Sequence, residues 1–152
     1  MDEDYNQFQI LIDQINLPER NLQDNITICN VSGKDDYHKV LDLFLMIFPD
    51  EIDSGKARDL REVQVEEYEG IFLAKLNDEI IGFLASGIYN QVGYITYLGV
   101  LEKFRSQGIA TALLKRFKLY LNEKKVQKIR CKISKDNKKT LGYVHYLGFQ
   151  LF

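Results

Sequence analysis

The stretch of this chain best built for chemistry is Arg105-Ser106-Gln107-Gly108-Ile109-Ala110-Thr111. An apolar, aromatic-rich strand ending Leu98-Gly99-Val100 leads into it, and an amphipathic helix carrying Leu113 and Leu114 inward starts directly after the glycine. A turn of that kind leaves several backbone N–H groups unpaired at a helix N-terminus. Their partial charges add to the helix dipole, so the expected guest is an anion. The Gly-Lys-Ser/Thr ending of a nucleoside-triphosphate loop is missing, which removes that reading. Metal chemistry has little to work with: two histidines and two scattered cysteines, Cys29 and Cys131, supply no ligand cluster. Both cysteines fall in expected strands and read as reduced, mostly buried thiols. His38 and Asp42, one helical turn apart, read as a surface pair rather than a catalytic dyad.

The elements that must position this turn follow from periodicity. Phe8, Leu11, Ile12 and Ile15 recur at helical spacing and predict a short amphipathic helix over 5–16, ended by Pro18. Ile26 to Val31 alternates as a strand. A helix follows with Val40, Leu41, Phe44, Leu45 and Phe48 on one face, stopped by Pro49. A strongly charged stretch holds a helix from about Ser54 to Glu67. Strands over 70–76, 79–89 and 92–101 are joined by tight turns at Asn77-Asp78 and Asn90-Gln91. Gly99 inside the last of them suggests a bulge or a close approach by another backbone or a ligand. After the glycine turn come a helix, a strand from Val126 to Ile133, and a helix from Asn137 to Leu147. Antiparallel strands followed by a strand–helix–strand crossover make an α+β fold, a mixed α/β sheet.

Size and charge bound the rest. A chain of 152 residues, 45% hydrophobic and 28% charged, is one globular domain with room for a real core. No apolar run is long enough to span a bilayer, and the acidic opening Met1-Asp2-Glu3-Asp4 is unlike a signal peptide, so a cytoplasmic protein with no membrane partner is expected. The net charge of −2 conceals a division: residues 1–101 carry 19 acids and 7 bases, residues 102–152 carry 3 acids and 13 bases. The basic half contains the anion turn; the acidic half favours a cationic partner. No interleaved aromatic pattern or binding motif points to nucleic acid.

Two motifs carry a family resemblance. Arg-x-x-Gly-x-Ala at Arg105, Gly108 and Ala110 resembles the pyrophosphate signature of the GNAT (GCN5-related) acyl-CoA N-acyltransferases. Asn137-x-x-Thr140-Leu141-x-Tyr143, continuing to Leu147-Gly148-Phe149, resembles that family's last helix, and one helix and one strand separate the two motifs as in the family. The resemblance covers about 26–152, leaving 1–25 as an N-terminal helical extension. It implies a GNAT-like fold, a mostly antiparallel sheet with one parallel crossover pair and flanking helices. It also implies an N-acetyltransferase that moves acetyl from acetyl-CoA, without a metal, to a primary amine of a small molecule or peptide. Backbone N–H groups from Gln107 through Gly108, Ile109 and Ala110 to Thr111 would cradle the pyrophosphate, with Arg105, Ser106 and the Thr111 hydroxyl beside them. Leu98, Gly99 and Val100 would run along the pantetheine arm, and the Leu98 N–H would hold the thioester carbonyl. Asn137 serves the cofactor or, equally, caps its helix.

The chain departs from the family where catalysis is concerned. The strand before the turn holds no carboxylate, and Tyr94 stands where the histone-acetylating branch has its glutamate. Val144 stands at the usual tyrosine acid, with Tyr143 and Tyr146 beside it. Tyr143 as acid, a water held by Tyr94, or a base from Glu66, Glu67 or Glu69 are the surviving assignments. A non-catalytic acyl-CoA-binding sensor or interaction module is the alternative. The final strand usual after Gly-Phe is missing, so the N-terminal helix or a second copy, in a homodimer, is expected to cover the gap.

Overall fold

A computed structural model describes residues 4–48 and 69–152. Seven strands among these residues form one sheet in the order β2-β3-β4-β5-β6-β1-β7. In chain order these are β1 (Tyr5–Leu11), β2 (Ile26–Asn30), β3 (Ile71–Leu76), β4 (Glu79–Tyr89), β5 (Val92–Val100), β6 (Lys128–Ser134) and β7 (Gln150–Leu151). Among the described residues three helices, α1 (Lys34–Ile47), α2 (Ile109–Glu123) and α3 (Lys138–Leu147), flank it. All neighbours run antiparallel except β5 and β6, which are parallel and joined by α2 as a crossover. The helix expected near 54–67 lies outside the described residues.

The sheet is covered unequally on its two faces. Ile109, Leu113, Leu114, Phe117 and Leu121 of α2 pack with Val144 and Leu147 of α3 on one face, over Phe72, Ile81, Ile129 and Cys131. Val40, Leu43 and Phe44 of α1 cover Leu73, Phe83 and Tyr97 on the other. These helices form where local sequence favours them: apolar residues recur on one face of each, and Gly148 in the left-handed conformation (φ +100°) closes α3. Asn90 and Gln91 both take positive φ, +49° and +64°, the conformation a two-residue hairpin of matching twist requires.

The N-terminal segment is a strand, not the helix expected over 5–16. β1 pairs antiparallel with β6 along its whole length, Tyr5 opposite Ser134 and Leu11 opposite Lys128. Phe8, Ile10 and Ile12 also recur every second residue, and that period prevails because β6 presents a long unpaired edge. Ile10 and Ile12 are buried and Leu11 is 45% exposed, the reverse of the helical assignment for Leu11. A single turn of 3-10 helix, Ile12–Gln14, follows.

The end of the sheet differs from expectation as well. A strand does follow Gly148-Phe149, two residues long, and it pairs with β1 rather than β6. The gap thus closes from within the chain: β1 lies between β6 and β7. Residues 1–25 and 26–152 therefore share one sheet, and no second subunit is needed to fill it.

Candidate active site

β5 pairs with β6 over only three residues, Val92 to Tyr94, whereas β4 stays paired with β5 up to Val100. Beyond Tyr94 the two parallel strands part, and one edge of β5 faces an opening. Ladder alternation identifies the groups lining it. The Leu101 N–H donates to Ile81 O at 2.9 Å, so Leu101 and Gly99 turn their amides toward β4. Leu98 and Val100, one residue out of phase, turn theirs into the opening.

Gly99 has a different reason for being glycine. A side chain there would stand 3.0 Å from Ile47 Cδ1 and 3.4 Å from Phe48, so its small size admits α1. Neither its amide nor its Cα faces the opening. The register shift in β5 lies elsewhere, opposite Ala85/Ser86.

The opening leads to the turn. After one turn of 3-10 helix, Glu102–Phe104, the Arg105 Nε donates back to Val100 O at 2.9 Å. Arg105 therefore ties the turn to the strand it leaves. Ser106 and Gly108 both adopt left-handed conformations, φ +64° and +88°. The first bond of α2 runs from the Ala112 N–H to Gly108 O at 3.0 Å, so the amides of Ile109, Ala110 and Thr111 precede the ladder. Ile109 also anchors the helix start, its side chain 1% exposed in the main core. Gly108 carries nothing that would screen these donors. This arrangement suits a phosphate group.

Sequence reasoning missed a cation at the same turn. Arg20, from the arm between β1 and β2, donates from Nη2 to Ser106 O at 2.7 Å. Its Cδ lies 2.9 Å from where a Gly108 Cβ would stand. No periodicity or motif marks Arg20, because 86 residues separate it from its partner.

The remaining candidates are dispersed. The Asn137 carboxamide oxygen accepts from the Thr140 N–H at 3.1 Å, making it the N-cap of α3. Tyr143 is half-buried against the main core, and its hydroxyl lies 3.5 Å from that of Thr111, linking α3 to the first turn of α2. Burial, more than any neighbour, raises the Tyr143 pKa, so the phenol is protonated at neutral pH. Val144 points inward, 5% exposed. Tyr94 ends the β5–β6 ladder, at the vertex of the opening. A side chain at its neighbour Gly93 would run into Leu121 and Phe117 on the α2 face, so Tyr94 projects from the opposite face. Tyr94 and Tyr143 thus lie on opposite sides of the sheet.

Glu69 is committed elsewhere, 3.3 Å from Lys124 Nζ and accepting from the Tyr120 hydroxyl at 3.4 Å. Tyr120 is nine residues beyond Thr111, roughly 13 Å along α2. Glu66 and Glu67 lie outside the described residues. His38 and Asp42 are both exposed. Burial pushes the Cys131 thiol up to about 12 and raises Cys29, so neither suits a thiolate nucleophile. Among the described residues, no group of three or more His, Cys, Asp or Glu could hold a metal, and no helix is long and apolar enough to cross a membrane.

Fold and turn together define a GNAT-type acetyltransferase scaffold. The family model for the acetyltransferase (GNAT) family matches residues 37–149, and the chain belongs to that family. Among solved structures it is similar to a GCN5-related N-acetyltransferase from Sphaerobacter thermophilus, with a TM-score of 0.77 and 19% identity over 97% of this chain. That match covers 48% of the Sphaerobacter chain, so this chain spans about half its length. Ard1 from Thermoplasma volcanium matches with a TM-score of 0.70 and 19% identity over 84% of each chain. PaiA N-acetyltransferase from Thermoplasma acidophilum, solved in complex with coenzyme A, matches at 0.63 and 14% identity over 82% of this chain and 89% of its own.

Proposed function

We propose that this protein is a cytoplasmic N-acetyltransferase that moves acetyl from acetyl-CoA to a primary amine of a small molecule or peptide. The observation that carries the reading is the continuity of the β5 opening with the amide turn of α2. An acyl donor with its phosphates on the Ile109 to Thr111 amides would run its arm along the outward edge of Leu98 and Val100. The neutral amine then attacks the thioester carbonyl carbon, the C–S bond breaks, and the attacking nitrogen loses a proton while the departing sulfur gains one. The Leu98 N–H would hold the carbonyl oxygen as negative charge gathers there. Tyr143, a half-buried phenol beside Thr111, is the candidate acid for the sulfur. Positioning supplies a large part of such a rate, so a water held near Tyr94 suffices as the base. The acid-rich residues 1–101 favour a cationic acceptor.

A second reading is a module that binds acyl-CoA without turning it over. The inward Val144 and the absence of a carboxylate on β5 favour it. Melting with and without acetyl-CoA tests what both share. A ligand at a hundredfold excess over Kd adds about 2.7 kcal/mol, or roughly 5–11 °C for a domain of this size. No shift at low or moderate salt overturns both readings. CoA release with a panel of amines, polyamines and basic peptides then separates enzyme from sensor.

A further inference from the structure

The arm between β1 and β2 is held down along its length. The Asn16 N–H donates to Leu147 O at 2.8 Å and Leu17 and Leu22 pack against the main core, whereas Glu19, fully exposed, makes a surface ion pair with Lys115 of α2 at 3.4 Å that contributes little to the hold. Arg20 is thereby held at the turn by the protein's own contacts. One guanidinium N–H goes to Ser106 O, and Arg20 makes no other hydrogen bond or ion pair among the described residues. The other basic side chains at the turn are engaged: Arg105 bonds back to Val100 O, and Lys103 Nζ lies 5.1 Å from the Phe104 ring centre.

A pyrophosphate brings two negative charges, and a helix N-terminus offers only about half a positive charge. A planar guanidinium supplies paired donors in the geometry phosphate oxygens accept. Its bond to Ser106 O also offsets that carbonyl's dipole beside the anion turn. Resting on the acyl-CoA reading above, we propose that Arg20 is a cofactor-binding residue whose guanidinium pairs with the pyrophosphate seated on the α2 amides. The N-terminal arm then supplies part of the donor site, in addition to completing the sheet.

Calorimetric titration with CoA and with dephospho-CoA, at low and moderate salt, tests this on the full chain. Arg20→Gln is expected to raise Kd about tenfold or more for both ligands, the loss of a charge-assisted contact, and to flatten the salt dependence. Arg20→Lys, which keeps charge and stem, recovers part of the affinity and provides a folded comparison. Glu19→Gln, which removes the adjacent ion pair, is expected to leave Kd unchanged. Arg20→Gln binding within twofold of the parent at both salts overturns the proposal, as does an equal loss in Glu19→Gln, which would indicate a general loosening of the arm. A penalty confined to CoA would move the contact to the 3′-phosphate and overturn the pyrophosphate assignment. Gly108→Asp provides the separation from the underlying reading: a parent protein that binds no CoA refutes the acyl-CoA site, whereas loss in Gly108→Asp with none in Arg20→Gln refutes Arg20 alone.

Discussion

Ile10 and Leu11 are adjacent, and truncating each in turn distinguishes a strand from a helix at the N-terminus. As part of β1, Ile10 is 5% exposed and Leu11 is 45% exposed. Helical spacing through Phe8, Ile12 and Ile15 would instead bury Leu11. Ile10→Ala removes a side chain from the core beside Ile129, its partner in the β6 ladder, and is expected to cost about 2–5 kcal/mol. Leu11→Ala, at a half-open position, is expected to cost less than about 1 kcal/mol. For a chain of this size each kcal/mol moves Tm by about 2–4 °C, so the first variant drops by roughly 4–20 °C and the second by at most a few degrees. Urea unfolding with a shared m-value gives the same comparison as free energies. A Leu11→Ala loss equal to or larger than that of Ile10→Ala would refute the strand and, with it, the completion of the sheet by β1.

Two further outcomes follow from the structure. Asp36 accepts from the Ser32 hydroxyl at 2.6 Å and the Ser32 N–H at 3.1 Å, with Lys75 3.3 Å away, and these contacts, the Ser32 hydroxyl foremost, hold its pKa below the usual carboxylate value. A lowered folded pKa adds stability that is full above the unfolded value of about 3.9 and is lost as pH falls through the folded one; Asp36→Asn should cost about 1–2 kcal/mol at neutral pH and flatten the acid limb of the stability profile. Tyr143→Phe should reduce turnover by about a hundredfold with CoA affinity unchanged, measured by steady-state kinetics and titration; full activity would remove Tyr143 as the acid.

Local signals made much of the fold legible. The hairpins at Asn77-Asp78 and Asn90-Gln91, the face of α1 and the glycine ending α3 are each written within a few neighbouring residues. β1 was not legible because Phe8, Leu11, Ile12 and Ile15 satisfy a helical period while Phe8, Ile10 and Ile12 satisfy an extended one. The choice between them depends on β6, whose paired residues lie more than 100 positions away. At the site, the turn around Gly108 could be read from type and spacing. Gly99 could not: a glycine in a strand signals close approach, but only the packed structure identifies the neighbour as Ile47. Asn137 offered two chemically sound roles, and the distance to the Thr140 N–H supports the cap. Arg20 carries no local mark at all.

The position of β1 between β6 and β7 also sets an order of assembly. Tyr5 meets Ser134 across nearly the whole chain, a contact whose loop-closure entropy is paid late and which slows folding. At roughly 5–20 residues per second, a ribosome takes on the order of 6–25 s to pass from β1 to β6. For that interval β1 has no partner strand, and afterwards the β6 edge stays open until β1 returns. The arm that β1 draws behind it carries Arg20 to the turn, so this corner of the molecule is finished when β1 is seated on β6. Slow-folding or β1-damaged molecules would then present a well-formed α2 beside an incomplete donor site, and ligand affinity would report on the closure of the sheet.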